Sequence, residues 1–133
     1  MNNNNFNTII FNLIKNILHS RGYGITHKEK DNFINTDYPK GKFKLIEGKV
    51  EETIPKIMPE KISLLRLDTD WYGSTKHEME NLFPLLEKNG VLIVDDYGHW
   101  AGCKEAIDEY IKENNITILL NRIDNTGRIA IKL

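Results

Sequence analysis

Two short apolar runs, Ile62–Leu67 and residues 91–94, each end in acids: Asp68-Thr69-Asp70 closes the first and Asp95-Asp96 the second. Runs of this length are too short for helices and match strands buried on both faces of a parallel sheet; only Ser63 and Arg66 interrupt the first. Between them Met79, Leu82, Phe83, Leu85 and Leu86 recur at helical spacing. Ser74 or Thr75 is placed to cap that helix, Glu78 stands where a capping-box acid would, and Asn89-Gly90 is the expected stop. Strand, helix and strand in this order form the crossover unit that joins parallel neighbours.

The pattern continues on both sides. After residue 94 come a loop through Gly98 and Gly102 and a helix with Ala106, Ile107, Tyr110 and Ile111 facing inward. Residues 117–121 and 128–133 are β-rich and flank a turn at 123–127, which predicts a hairpin. Upstream, residues 43–46 read as a short strand, Gly48 as a turn and 51–57 as a helical segment. The expected class is α/β, with a mostly parallel sheet and an antiparallel C-terminal hairpin. Residues 1–42 stand apart: Phe6, Ile9, Ile10, Leu13, Ile14, Ile17 and Leu18 predict an amphipathic helix over 6–18, residues 21–42 a loop, and the Asn run at 2–5 a frayed terminus. At 133 residues the chain can build one core and not two.

Charge narrows the partners. Eighteen basic and 19 acidic residues leave a net charge of −1, without the footprint of a nucleic-acid binder. No run approaches the ~18–20 apolar residues of a membrane span, since Asn12, Lys15 and Asn16 break the greasiest stretch. The N-terminus lacks the pattern of a secretory signal, and the single cysteine, Cys103, suits a reducing compartment; a cytoplasmic setting is expected.

In an open parallel sheet, ligands bind beyond the carboxyl ends of the strands, and neighbouring strands lie about 4.8 Å apart. Asp68, Asp70, Asp95 and Asp96 therefore converge on one crevice if the two runs are adjacent. Carboxylates so placed repel unless protonated, paired with bases or shared by a cation, and an all-oxygen donor set suits Mg²⁺. The plainer alternative is that Asp70 caps a helix and Asp95-Asp96 opens a loop. Trp71, Tyr72, His99 and Trp100 flank the acids and would either wall a pocket for an aromatic or sugar-like substrate or cover the top of the sheet. His77 reads as a surface residue and Cys103 as a small buried side chain. No nucleophile–histidine–acid set is legible.

Three long stretches carry a resemblance: Leu64-Leu65-Arg66-Leu67-Asp68-Thr69-Asp70-Trp71-Tyr72-Gly73-Ser74-Thr75, Gly90-Val91-Leu92-Ile93-Val94-Asp95-Asp96-Tyr97-Gly98 and Gly102-Cys103-Lys104-Glu105-Ala106. With Glu47-Gly48-Lys49-Val50-Glu51-Glu52-Thr53-Ile54-Pro55 upstream, residues 44–133 resemble the macrocin O-methyltransferase family. The resemblance implies a Rossmann-like methyltransferase fold and transfer of a methyl group from S-adenosylmethionine to a hydroxyl, commonly on a sugar, with Mg²⁺ holding the acceptor. It assigns Asp68, Asp95 and Asp96 to the metal, Asp70 to the general base, and Gly48, Val50 and Asp68 to the donor side.

The same resemblance implies a chain about twice as long, whose first strand and glycine-rich turn cradle the donor. Neither is visible here, and Gly22-Tyr23-Gly24 follows a predicted helix and not a strand. The expectation is an incomplete fold without its N-terminal half-sheet, inactive alone unless a homodimer or a complementing chain supplies the rest. Two other readings stay open: a non-catalytic remnant, and a haloacid-dehalogenase-like phosphatase built on Asp68 and Asp70. Such a phosphatase would need a lysine and a serine or threonine motif between the acid sets, where residues 71–94 hold one helix and one strand.

Overall fold

The structure, a computed structural model, describes residues 11–12, 46, 48–54 and 56–133. Along the chain run β1 (Phe11–Asn12), α1 (Val50–Thr53), β2 (Ile62–Leu67), α2 (Tyr72–Leu82), a 3₁₀ turn (Phe83–Leu85), β3 (Leu86–Val94), α3 (Ala101–Glu113), β4 (Asn121–Arg122) and β5 (Arg128–Ile131). The strands form one sheet in the order β1-β2-β3-β5-β4. β1, β2 and β3 are parallel, and β5 runs antiparallel to both β3 and β4. The expected parallel sheet with an antiparallel hairpin is the fold observed.

Register explains where the core lies. Leu65 pairs with Leu92, Leu67 with Val94, and Leu92 with Ala130, so these five side chains share one face and all are buried. Against that face pack Met79 and Leu82 of α2 and Cys103, Ile107 and Tyr110 of α3, the last three at helical spacing along one stripe. The Phe83 ring meets Tyr110 edge-on at 5.8 Å. The alternate residues Leu64, Arg66, Val91 and Ile93 are only half-buried. The expectation of burial on both faces is thus corrected: α2 and α3 cover one face, and Arg66 keeps its charged head in water on the other.

Several boundaries differ from the sequence expectation. Phe11–Asn12 pair with Leu65 and Arg66 as a strand, where a helix over 6–18 was expected; the rest of that segment, the loop 21–42, the run 2–5 and residues 43–45 lie outside the described residues. β-Branched and aromatic residues at 8–11 satisfy a strand as readily as one face of a helix, and the free edge of β2 offers a partner. The helical segment expected over 51–57 contracts to Val50–Thr53, after the bend at Gly48. The C-terminal hairpin forms, with its first strand at Asn121–Arg122 instead of 117–121.

α2 departs furthest. It begins at Tyr72, and neither Ser74 nor Thr75 is its cap: Ser74 lies inside the first turn and donates to the carbonyls of Thr69 (3.2 Å) and Trp71 (3.1 Å). Glu78 is no capping-box acid either, being completely buried. Pro84 cannot continue an α-helix, so the helix gives way to the 3₁₀ turn and the chain is extended from Leu86. Asn89-Gly90, expected to stop the helix, instead makes an irregularity inside β3, with Asn89 at φ +66°. Gly90 is required there, because a Cβ would meet the Glu87 carbonyl at 2.7 Å.

Candidate active site

Parallel pairing of Leu67 with Val94 sets the two acid groups side by side, and the Asp95 amide extends the ladder by donating to the Leu67 carbonyl at 3.0 Å. Beyond this rung the structure brings Asp68, Asp70 and Asp96 together: one carboxylate oxygen from each lies within 4.8 Å of the others, and all three residues are half-buried. Asp95 faces elsewhere. The Arg66 guanidinium holds it at 3.0 Å and holds Asp68 at 3.1 Å through the same nitrogen, Nη2. Among the four acids the resemblance singled out, three therefore surround one point, and Arg66 ties the fourth to the margin.

The loop that carries Asp68 and Asp70 is held by its middle residue. The Thr69 carbonyl accepts from the Trp71 amide at 2.7 Å and from Ser74 Oγ at 3.2 Å, while its hydroxyl donates to Glu78 Oε2 at 2.8 Å. Asp70 adopts φ +64°, the left-handed region that few non-glycine residues visit. Such a conformation persists where the surroundings fix it.

Trp71, His99 and Trp100 form an aromatic rim beside these acids. The two indoles lie 5.8 Å apart, tilted by 32°, and His99 stands edge-on to Trp100 at 4.9 Å. Trp71 is 50% exposed and Trp100 39%, so both lie at the surface instead of filling the core. Tyr72 does not join them: its hydroxyl donates to Glu109 of α3 and accepts from Lys76 Nζ at 3.0 Å. Its pKa is raised, first by that bond to Glu109.

Close backbone approaches lock the loop after β3. The Gly98 amide donates to the Thr126 carbonyl at 2.8 Å, and a Cβ on Gly98 would lie 2.2 Å from the Asn125 carbonyl. The hairpin turn thereby pins the segment following Asp96. Cys103 is buried and its thiol is pushed up to about 12, first by desolvation, which makes it an inert part of the core. His77 is half-buried on α2, and its Nε2 has no hydrogen-bond partner among the described residues.

The donor-side candidates sit on another element. Gly48 is exposed with φ +133°, a conformation that suits glycine, and Val50 is buried at the start of α1, which packs on α2. Two residues of the site escaped the sequence reading. Arg66 interrupts an apolar strand, and its position two residues before Asp68 puts both on one face; that parity was the available signal. Glu78 gave a misleading one, since an acid three residues after Thr75 imitates a capping box.

An open α/β sheet with acids at the carboxyl ends of adjacent parallel strands places the site where Rossmann-like folds bind their ligands, and the solved structures it resembles are methyltransferases. Residues 23–131 match the profile described as macrocin O-methyltransferase (TylF), and the chain belongs to that family. It is 34% identical over 116 residues to demethyldecarbamoylnovobiocin O-methyltransferase of Streptomyces niveus, covering 85% of this chain and 44% of the relative. A tetracenomycin rhamnosyl 4'-O-methyltransferase of Streptomyces olivaceus is 34% identical over 84 residues, 63% of this chain and 32% of that one. The solved structure of the O-methyltransferase NovP superimposes with a TM-score of 0.76 at 32% identity, over 82% of this chain and 46% of its own. The chain thus spans less than half the length of these relatives. No helix among the described residues is long and apolar enough to cross a membrane.

Proposed function

We propose that this chain carries the metal and acceptor side of an O-methyltransferase that moves a methyl group from S-adenosylmethionine to a hydroxyl of a small molecule, a sugar being the favoured class. The observation that carries the reading is the meeting of Asp68, Asp70 and Asp96 at the end of β2 and β3 in a member of this family. A hard divalent cation fits this donor set: three carboxylate oxygens within 4.8 Å leave room for further oxygen ligands, as Mg²⁺ requires. Asp68 and Asp96 would hold it, with Asp95 joining if its pairing with Arg66 opens.

When bound, the cation would lower the pKa of the acceptor hydroxyl, and the sulfonium donor would supply the methyl. Asp70, on the loop between the strand and α2, takes the hydroxyl proton as general base. Its fixed backbone keeps that carboxylate beside the acceptor. Trp71, His99 and Trp100 offer apolar faces on which a sugar ring can lie, orienting its hydroxyl toward the acids. Gly48 and Val50 border the donor. A cytoplasmic setting matches the supply of such a donor.

The test is binding of S-adenosylhomocysteine, followed by thermal melting with and without Mg²⁺, for this chain and for its Asp70→Asn variant. Both proteins are expected to melt higher with Mg²⁺, and only wild type to methylate a glycosylated acceptor once the donor side is complete. Methyl transfer by Asp70→Asn at the wild-type rate would remove Asp70 from the role of base.

A further inference from the structure

Glu78 is a group that neither the fold nor the proposed chemistry explains. It is a carboxyl with no exposed surface, on the inner side of α2, and its Oε1 has no hydrogen-bond partner among the described residues. Its Oε2 accepts from the Thr69 hydroxyl at 2.8 Å, and that hydroxyl lies 3.4 Å from Thr75 Oγ1. Thr69 and Thr75 are themselves buried, so a polar chain of three side chains runs through the core directly beneath the acid loop. Burying an acid with one oxygen unsatisfied opposes folding, and an apolar residue of similar size would cost less there. Something other than stability accounts for its presence.

The loop above supplies the reason. Asp68 and Asp70 flank Thr69, and Asp70 holds φ +64° while its carboxylate meets those of Asp68 and Asp96. The Thr69 carbonyl is fixed from the α2 side by Trp71 and Ser74. Among the described residues, its side chain is fixed from below by the 2.8 Å bond to Glu78, with Thr75 Oγ1 farther off at 3.4 Å. We propose that Glu78 is a positioning residue: its carboxyl anchors Thr69 and so holds the Asp68–Asp70 loop in the conformation that makes the acidic crevice. The inference deepens the proposed function and rests on that crevice being the reacting site, but the anchoring itself can be read without any ligand.

The experiment compares wild type with Glu78→Met, Glu78→Gln and Thr69→Val by amide hydrogen exchange, melting and Mg²⁺ titration. Glu78→Met removes the anchor while filling the space; exchange at Asp70 and Trp71 is expected to rise more than tenfold while the melting temperature stays equal or rises. Glu78→Gln keeps an oxygen that accepts from Thr69 and is expected to restore wild-type exchange, whereas Thr69→Val repeats the Met result by removing the donor. Mg²⁺ affinity is expected to fall tenfold or more in the Met and Val variants and to survive in Gln. Unchanged loop exchange in Glu78→Met, or a fall in melting temperature that accounts for the faster exchange, would overturn the proposal. Failure of wild type to bind Mg²⁺, with the exchange pattern as expected, would instead overturn the metal reading and leave the anchor standing.

Discussion

At the residue scale, burial of Glu78 makes a statement about pH. Desolvation, the larger cause, raises its pKa to about 8, against an opposing bond from Thr69. The folded state therefore holds a proton that the unfolded chain, with its carboxyl near the ordinary 4.5, has released. Between these values the folded state binds more protons, so this group's contribution to stability is full at low pH and is lost as pH rises toward and through 8, with a slope of up to ~1.4 kcal/mol per unit. Chemical denaturation at pH 6 and pH 9 should show this loss in wild type, and Glu78→Met should flatten it; equal pH dependence in both would mean that Glu78 ionises freely. Gly98 gives a steric prediction. Gly98→Ala sets a methyl 2.2 Å from the Asn125 carbonyl and should cost about 1–3 kcal/mol, read as a lower melting temperature.

At the element scale, the end of the crossover is secured from a distance. Lys132 Nζ, just beyond β5, donates to the carbonyls of Phe83 at 2.9 Å and Leu86 at 2.6 Å, closing the 3₁₀ turn where Pro84 ends the helix. Lys132→Met keeps the stem and removes the donor, and should destabilise by ~1–2 kcal/mol in a denaturant titration while leaving the acids in place. The inner strands were legible because apolar runs ending in acids carry both period and boundary, and residues 62–67 form the expected strand. The ends of α2 were not legible. Thr75 and Glu78 imitate a capping box, yet tertiary structure turns both inward, and Asn89-Gly90 looks like a helix stop although Pro84 has already acted. β1 escaped because a run such as Thr8-Ile9-Ile10-Phe11 fits two periods at once, and the partner that decides between them lies more than fifty residues away at Leu65 and Arg66.

At the scale of the whole molecule, sheet order turns separate motifs into a site. With β2 and β3 adjacent and parallel, Asp68, Asp70 and Asp96 meet. That convergence was readable as a consequence of adjacency; the sorting of Asp95 onto Arg66 was not, since it depends on which face each side chain leaves the strand. The same sheet carries a half-buried second face, which Leu64, Arg66, Val91 and Ile93 line. The proposed chemistry at this crevice requires that it bind a cation. A calorimetric titration of Mg²⁺ into wild type and Asp68→Asn decides it: saturable binding to wild type is predicted, weakened roughly 100-fold or more in the variant, given that even outer partners of metal ligands are worth about 10–100-fold. Equal affinity in the two proteins, or no binding to wild type, would contradict it.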